Sequence, residues 1–136
     1  MSTSGAGNVV LVVEDETDLL KTYERLLRRR GYDVLTVGTC EEALRLVASR
    51  SLALVVADMK LPDGDGLAVV RAAREVAPPP AVIVVTGYAS DASQQEAMAA
   101  GASAYLPKPF SVSAFTALVD RLATPRADRV PEGGLA

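Results

Sequence analysis

Short apolar runs recur along the chain, and each is separated from the next by a longer, mixed segment. Three of the runs are continuous and rich in Val, Leu or Ile: Val9 to Val13, Leu52 to Ala57 and Ala81 to Val85. Each run is too short for a buried helix, and uninterrupted apolar strands are typical of a parallel sheet that is covered on both faces. These runs predict central strands. Two further segments, Asp33 to Val37 and Ser103 to Leu106, predict edge strands because they alternate more or are shorter.

The segments between the predicted strands have helical periodicity. Apolar side chains form a single stripe in two of them: Leu19, Tyr23, Leu26 and Leu27 in the first, and Phe115, Leu118, Val119 and Leu122 in the last. Five strands that alternate with five helices predict an α/β fold, with a parallel sheet and helices on both faces. The helix predicted from about Ser90 to Ala100 should pack weakly, because Met98 is its only large apolar residue.

Several residues indicate where the helices begin and end. Two pairs have the spacing of a capping box: Thr39 with Glu42, and Asp91 with Gln94. Gly31 is well placed to end the first helix. The stretch from Asp63 to Gly66 resembles the start of a calcium-binding loop, but the Glu that should close such a loop is missing. We therefore interpret this stretch as a turn followed by a helix cap.

Length and composition limit the chain to one soluble domain. It has 136 residues, of which 49% are hydrophobic and 23% charged. We place the folded unit at residues 8–123 and expect residues 1–7 and 124–136 to be flexible tails. The net charge of -3 and the lack of an extended basic stripe argue against direct nucleic-acid binding. No apolar run approaches the roughly 18 residues that span a bilayer, so we expect a cytoplasmic protein that does not contact a membrane.

Two scarce residue types narrow the chemistry further. The sequence has no histidine, and Cys40 is its single cysteine. These counts exclude an internal disulfide, every histidine-based catalytic triad and the usual zinc ligand sets. We interpret Cys40 as an inert or buried thiol in a reducing compartment.

Polar side chains follow the predicted strands at the points where the strands end. Glu14 and Asp15 follow the first strand, Asp58 the third, Thr86 the fourth and Lys108 the fifth. Because ligands bind beyond the carboxyl ends of the strands in open α/β sheets, we expect these side chains to meet at one edge. Three carboxylates repel one another unless a cation shares the site, and oxygen ligands favour Mg²⁺ or Mn²⁺ over zinc.

The other groups at this edge fit the chemistry of a transferring phosphoryl group. The ammonium of Lys108 and the hydroxyl of Thr86 can neutralise or bond the equatorial oxygens of such a group. The carboxylate of Asp58 can then act as the nucleophile and form an acyl phosphate. The residues therefore favour a metal-assisted phosphoryl acceptor.

Four motifs in the chain resemble the receiver domain (CheY-like) of two-component response regulators: VVEDE, DMKLPDGDGL, VVTGY and AYLPKPF. Each motif is weak alone, but the four occur in the family's order at strand ends, and the resemblance covers residues 8–123. It implies a flavodoxin-like, doubly wound (βα)5 fold with the strand order 2-1-3-4-5. It also implies that Asp58 accepts a phosphoryl group from a phosphohistidine on a sensor histidine kinase or a histidine phosphotransfer protein, for an unidentified downstream effector.

The resemblance further implies a metal-binding and phosphoryl-binding role for residues around Asp58. The implied Mg²⁺ ligands are Asp15 and Asp58 directly, the backbone carbonyl of Met59, and Glu14 chiefly through a metal-bound water. Lys108 should contact a phosphoryl oxygen, and its peptide bond to Pro109 should be cis. Glu14 replaces the Asp that commonly comes first in the acidic pair of the family.

Four residues around the site are expected to control switching and phosphate lifetime. Thr86 and Tyr105 form the switch pair that the resemblance implies, acting on the surface formed by the fourth helix, fifth strand and fifth helix. Lys60 and Tyr88, each two residues beyond a site residue, should tune how fast water removes the phosphate. The resemblance leaves open whether phosphorylation causes dimerisation.

Three other functions are weighed against this one. A flavin or nucleotide carrier would need a phosphate-binding loop where Glu14 and Asp15 would repel phosphate. A metal-dependent phosphatase would need an acid two residues after the nucleophile, where Lys60 stands. A third alternative is a degenerate receiver that serves only as a protein-binding module. The intact set of site residues argues against it: Glu14, Asp15, Asp58, Thr86 and Lys108. We expect no turnover enzyme, because such domains assist only their own phosphorylation and dephosphorylation.

Overall fold

The computed structural model describes residues 8–123, which form five main strands and five helices. The predicted flexible tails, residues 1–7 and 124–136, lie outside the described residues. The strands are β1 Val9–Val13, β2 Asp33–Val37, β3 Leu54–Asp58, β4 Ala81–Thr86 and β5 Ala104–Pro107. The helices are α1 Thr17–Arg29, α2 Cys40–Ser49, α3 Gly66–Arg74, α4 Asp91–Ala100 and α5 Val112–Ala123. Two unnumbered two-residue strands, Lys60–Leu61 and Gly64–Asp65, pair in an antiparallel manner between β3 and α3.

The five main strands form one parallel sheet in the order β2-β1-β3-β4-β5. Its three central strands are the ones with continuous apolar runs, and their residues are almost all buried. The strands β2 and β5 lie at the edges and are partly exposed. The predicted flavodoxin-like fold and its strand order are therefore confirmed.

Two apolar cores flank the sheet. One core contains Leu11 and Val55 and lies against α2, α3 and α4, whereas the other contains Val12 and Val56 and lies against α1 and α5. Successive side chains of a strand point to opposite faces, so each central strand contributes to both cores. This double burial explains why the central strands lack an alternating pattern.

Burial also explains where the predicted limits of the third strand were wrong. The strand was expected to begin at Leu52, but β3 begins at Leu54. Leu52 is buried in the connection that follows α2, where it packs into the core without belonging to the sheet. An apolar residue in the sequence indicates that the position is buried, but it does not show whether the residue belongs to the sheet. The limits of a strand depend on its hydrogen bonds to neighbouring strands.

The ends of the helices agree with the sequence in two places and differ in one. The Thr39 side chain accepts a hydrogen bond from the Glu42 amide at 3.2 Å, and Gly31 has a φ of 94° just beyond α1. The expected capping box of Asp91 is wrong by one residue. Ser90 is the N-cap of α4, its Oγ accepts from the Ser93 amide at 3.0 Å, and the Ser93 hydroxyl accepts from the Ser90 amide. Both residue types are good caps, so spacing alone could not separate them.

The helix α4 is thinly packed, as its composition predicts. Ala97 is its only fully buried residue, and the side chain of Met98 is 44% exposed. The longest helix between residues 8 and 123 has 13 residues, and none of the helices there is long and apolar enough to cross a membrane.

Candidate functional site

The carboxyl edge of the sheet holds the three polar residues that are buried among residues 8–123. Glu14 follows β1 and is 2% exposed, Asp58 ends β3 and is 7% exposed, and Thr86 ends β4 and is 1% exposed. Buried polar groups are costly unless they are paired, so their collection at one edge marks this region as a functional site.

The three predicted acidic residues form one cluster at this edge. Glu14, Asp15 and Asp58 each offer a carboxylate oxygen, and these oxygens all lie within 4.8 Å of one another. Glu14 and Asp58 are buried, whereas Asp15 is exposed to solvent. Three carboxylates this close can share a single hard cation, so the residues fit the divalent ion that the sequence implied.

Lys108 supplies a positive charge to this cluster. Its Nζ donates to Asp58 Oδ2 at 2.8 Å and to Glu14 Oε1 at 3.1 Å. Burial lowers the pKa of Lys108, but the hydrogen bonds to the two carboxylates and their negative charges together outweigh burial, and the net pKa is raised. The peptide bond from Lys108 to Pro109 is cis, as the resemblance implied.

The buried carboxylate of Glu14 has a raised pKa, which results from opposing effects of its surroundings. Burial raises its pKa, and the charge of Asp58 raises it further. The Glu16 amide, which donates to Glu14 Oε2 at 3.1 Å, and the bond from Lys108 lower it, but the net pKa stays raised. Burial of the Glu14 carboxylate is therefore not fully offset by its two hydrogen-bond donors.

The backbone around Asp58 is fixed by close contacts. The Lys60 amide donates to Asp58 Oδ1 at 3.1 Å, and the Gly66 amide donates to the Met59 carbonyl at 2.8 Å. A Cβ atom at Gly66 would lie 2.1 Å from the Asp58 carbonyl oxygen, so only glycine allows α3 to start this close to the site. Asp65 accepts from the Leu67 amide at 2.6 Å, which agrees with the expected helix cap.

The function of Asp63 was missed by sequence reasoning. Its carboxylate accepts from the Cys40 amide at 2.7 Å and the Glu41 amide at 3.0 Å, so it caps α2 from the loop that follows the site. These bonds lower the pKa of Asp63. Cys40 lies buried beneath the same loop, and burial raises the pKa of its thiol, as expected for an unreactive cysteine.

The family model of the response regulator receiver domain matches residues 10–120. The chain belongs to this family. The receiver domain is 34% identical over 112 residues to the photosynthetic apparatus regulatory protein RegA of Rhodobacter capsulatus, covering 82% of this chain and 61% of RegA. It is also 34% identical over 124 residues to the response regulator protein PilR of Pseudomonas aeruginosa, covering 89% of this chain and 28% of PilR. The chain thus spans only part of these curated relatives.

Solved structures agree with this assignment. A CheY-like receiver domain protein from Methanospirillum hungatei superposes with a TM-score of 0.81 at 30% identity, covering 85% of this chain and 93% of that one. A response regulator from Burkholderia pseudomallei, solved with a phosphorylated aspartic acid, a calcium ion and citrate, has a TM-score of 0.76 at 30% identity. This match covers 94% of this chain and 74% of that one.

The two expected switch residues of the receiver domain are both tied to the segment that leads into α4. The Thr86 hydroxyl accepts from the Tyr88 amide at 3.0 Å. The Tyr105 hydroxyl accepts from the Ser90 amide at 3.3 Å and makes a second, short hydrogen bond with the Ser93 hydroxyl. Sequence reasoning missed both serines, because it assigned the capping box to Asp91 and Gln94.

Two further residues of the receiver domain meet beside the site. The ammonium of Lys60 lies over the ring of Tyr88, 4.5 Å from its centroid. The Tyr88 side chain is 71% exposed, so the pair borders the site on its solvent side. The two positions expected to tune phosphate lifetime are therefore in direct contact.

Proposed function

We propose that this receiver domain accepts a phosphoryl group on Asp58 from a phosphohistidine of a sensor histidine kinase or a histidine phosphotransfer protein. The observation that carries the proposal is the 2.8 Å bond between Lys108 Nζ and Asp58 Oδ2 inside the cluster of three carboxylates. A nucleophile that already contacts a cation is organised for charge that develops during phosphoryl transfer. The complete set also argues against a degenerate binding module.

The chemistry assigned to Asp58 is a displacement at phosphorus. A carboxylate oxygen of Asp58 attacks the phosphorus atom, the bond from phosphorus to the histidine nitrogen breaks, and its electron pair returns to the imidazole. The product is an acyl phosphate on Asp58. Lys108 turns from the carboxylates to a phosphoryl oxygen, and the Thr86 hydroxyl donates a hydrogen bond to another.

The acidic cluster fits a Mg²⁺ or Mn²⁺ ion because its carboxylate oxygens lie within 4.8 Å of one another. Asp15 and Asp58 would hold the ion directly, and Glu14 would act through a water. When bound, the ion supplies positive charge shared between the carboxylates and the phosphoryl oxygens. Asp15 is the exposed member of the cluster, so the ion has access from solvent.

The backbone ligand of the ion is better assigned to Lys60 than to Met59. The Met59 carbonyl already accepts from the Gly66 amide at 2.8 Å. In extended backbone the carbonyl and the amide of one residue face the same side, and the Lys60 amide donates to Asp58 Oδ1. The Lys60 carbonyl, on the same side as that amide, is therefore the backbone ligand that we propose.

The receiver domain is proposed to act as a switch for partner proteins and not as an enzyme that turns over an external substrate. Phosphorylation adds negative charge and strong hydrogen-bond acceptors beside Thr86. Movement of Thr86 would change the position of Tyr105 and thereby the surface of α4, β5 and α5. The histidine kinase would supply the signal, and an effector protein would recognise that surface.

Intact-mass spectrometry tests the phosphoacceptor. The protein is incubated with acetyl phosphate with and without Mg²⁺, beside Asp58→Asn and a control, Asp33→Asn, which removes an exposed carboxylate from the start of β2. We expect a gain of roughly 80 Da, one phosphoryl group, in wild type and control only with Mg²⁺. An equal gain in Asp58→Asn would overturn the assignment, and no gain in wild type under conditions that modify another receiver domain would favour the degenerate module.

A further inference from the structure

Tyr23 has a hydroxyl that the proposed function does not use. The residue is 1% exposed, and its ring packs against Phe110 and Phe115 with centroids 6.2 Å and 5.3 Å away. Among the described residues, the Tyr23 hydroxyl is the one buried side-chain polar atom without a hydrogen-bond partner in the protein. Buried hydroxyls are normally bonded, so an unpaired one calls for a physical explanation.

Helix geometry directs this hydroxyl toward the acidic cluster. Tyr23 is the seventh residue of α1, and α1 begins immediately after the loop that carries Glu14. Long helical side chains point back toward the helix N-terminus, and a rise of about 1.5 Å per residue places the first turn within reach of a tyrosine ring. The hydroxyl therefore lies toward the carboxyl edge of the sheet.

Strand alternation places the cluster on the same face. Val12 and Val56 belong to the core that contains Tyr23. Glu14 and Asp58 lie two residues further along the chain, so they continue that face beyond the core. Burial, followed by the charges of Glu14 and Asp58, raises the pKa of Tyr23. The hydroxyl thus stays protonated and is available as a donor.

The carboxylate of Glu14 needs such a donor once Lys108 moves. In this structure Glu14 Oε1 is bonded by Lys108 Nζ at 3.1 Å, and Oε2 by the Glu16 amide. When Lys108 turns to a phosphoryl oxygen, Oε1 of the 2% exposed Glu14 loses its direct donor, because the proposed ion would meet Glu14 only through a water. A buried carboxylate that loses a partner carries a large desolvation cost.

We propose that Tyr23 is a positioning residue of the acidic site, whose hydroxyl donates to Glu14, directly or through one water, when Lys108 engages the phosphoryl group. The role rests on the proposed function. It explains why a buried tyrosine occupies a position that phenylalanine would fill equally well by shape. It also links the aromatic core of α1 and α5 to the phosphorylated state.

Binding of beryllofluoride, the phosphoryl mimic with which the DrrB receiver domain was solved, provides the test. Its binding with Mg²⁺ is titrated for wild type, Tyr23→Phe and Tyr32→Phe, and urea unfolding of each protein is measured without ligand. The control removes a half-buried hydroxyl that bonds Asp120, remote from the cluster. We expect Tyr23→Phe to weaken beryllofluoride binding about tenfold, as loss of an outer-shell partner does. Its unfolding free energy should stay equal to wild type or rise.

The remaining outcomes each decide the question. Unchanged beryllofluoride binding in Tyr23→Phe would show that Tyr23 is a core aromatic only. A loss of stability in Tyr23→Phe with binding unchanged, or an equal loss of binding in Tyr32→Phe, would overturn the positioning role as well. If wild type binds no beryllofluoride, the proposed function itself fails, and this inference fails with it.

Discussion

The ammonium of Lys60 lies 4.5 Å from the centroid of the Tyr88 ring, although the two residues belong to different loops. Lys60 follows Asp58, the proposed phosphoacceptor, by two residues, and Tyr88 follows Thr86 by two. The pair therefore joins the two loops at the solvent side of the site. In the proposed function, the pair would stand between solvent and an acyl phosphate on Asp58.

The first prediction concerns the lifetime of the acyl phosphate. If Tyr88 and Lys60 shield an acyl phosphate as a pair, Tyr88→Ala should shorten its half-life by about two- to fivefold, which corresponds to the free energy of a partly exposed cation–π contact. Lys60→Ala should shorten the half-life by a similar factor, and the half-life of the double variant should be only slightly shorter than that of either single variant.

The half-life is measured by mass spectrometry, as the decay of the phosphorylated mass. Met98→Ala, which truncates an exposed side chain on α4, is the control. A longer or unchanged half-life in Tyr88→Ala would refute the shielding.

A second prediction concerns the hydrogen bonds that hold the start of α4. The Tyr105 hydroxyl bonds the Ser93 hydroxyl and the Ser90 amide, and α4 has little apolar packing to hold it otherwise. Ser93→Ala should therefore loosen the helix, since one hydrogen bond contributes about 1 kcal/mol. Amide exchange of residues 91–100 should accelerate about two- to tenfold in the unphosphorylated protein.

Controls separate this effect from a general loss of stability. Tyr105→Phe should accelerate the same amides, and the double variant should show less than the sum of the two single effects, because the bond between Tyr105 and Ser93 is lost in both. Ser113→Ala changes an exposed serine in the first turn of α5 and should leave residues 91–100 unchanged. Unaltered exchange in both Ser93→Ala and Tyr105→Phe would mean that the bond does not hold α4.

Much of the site could be predicted from patterns that extend over only a few consecutive residues. Double burial removes polar positions from the central strands, so their runs are continuous and easily recognised. Parallel strands all end on the same side of the sheet, and side chains that follow them must converge. The meeting of Asp58 with Lys108, 50 residues apart, could therefore be predicted without coordinates.

Some features could not be predicted from the sequence. They depend on contacts between residues far apart in the chain, or on a choice between neighbouring residues of equal propensity. Asp63 caps α2 across more than 20 residues, and no spacing rule connects the two. Ser90 and Asp91 are both good caps, so only the folded backbone decides between them. The helical spacing of Tyr23 predicts a buried ring but contains no information on the partner of its oxygen.

A third prediction concerns alkaline stability. The Tyr32 hydroxyl donates to Asp120 at 3.1 Å, and burial together with this bond raises the pKa of Tyr32 to about 12 from 10.0. The folded state then holds the proton more tightly than the unfolded state, so the contribution is complete below pH 10 and is lost as pH rises through about 12. We expect the free energy of unfolding, measured in urea, to fall between pH 9 and 12 by roughly 1 kcal/mol less in Tyr32→Phe than in wild type.

The partner of Tyr32 in this contact, Asp120, has a pKa that is shifted in the opposite direction, so its contribution to stability is lost at acid pH. Bonds from Arg30 and Tyr32 lower the pKa of Asp120 below 3.8. Its contribution is therefore present above that value and is lost as pH falls through the lower folded pKa. Asp120→Asn should have a lower free energy of unfolding than wild type at pH 7, but this free energy should fall less steeply as the pH is lowered.

The alkaline measurement can contradict the assigned pKa of Tyr32. It would do so if the free energies of unfolding of wild type and Tyr32→Phe fell in parallel between pH 9 and 12.

The fourth prediction concerns the close approach of α3 to Asp58. A Cβ atom at Gly66 would lie 2.1 Å from the Asp58 carbonyl oxygen and 3.2 Å from the Met59 Cα, both of them backbone atoms that cannot turn aside. Gly66→Ala must therefore displace the backbone of Asp58. We expect a loss of about 1–3 kcal/mol in unfolding free energy and a more than tenfold slower gain of the phosphoryl mass.

Gly87→Ala is the matched control for this substitution. Gly87 directly follows Thr86, so it is as close to the site in sequence, but a Cβ atom there would meet nothing within 4 Å. The control should keep wild-type stability and phosphorylation to within a factor of about two, as substitutions in open space do. If both variants phosphorylate equally well, the backbone of Asp58 tolerates displacement, and the position of its side chain must then be set by the bonds from Lys60 and Lys108 alone.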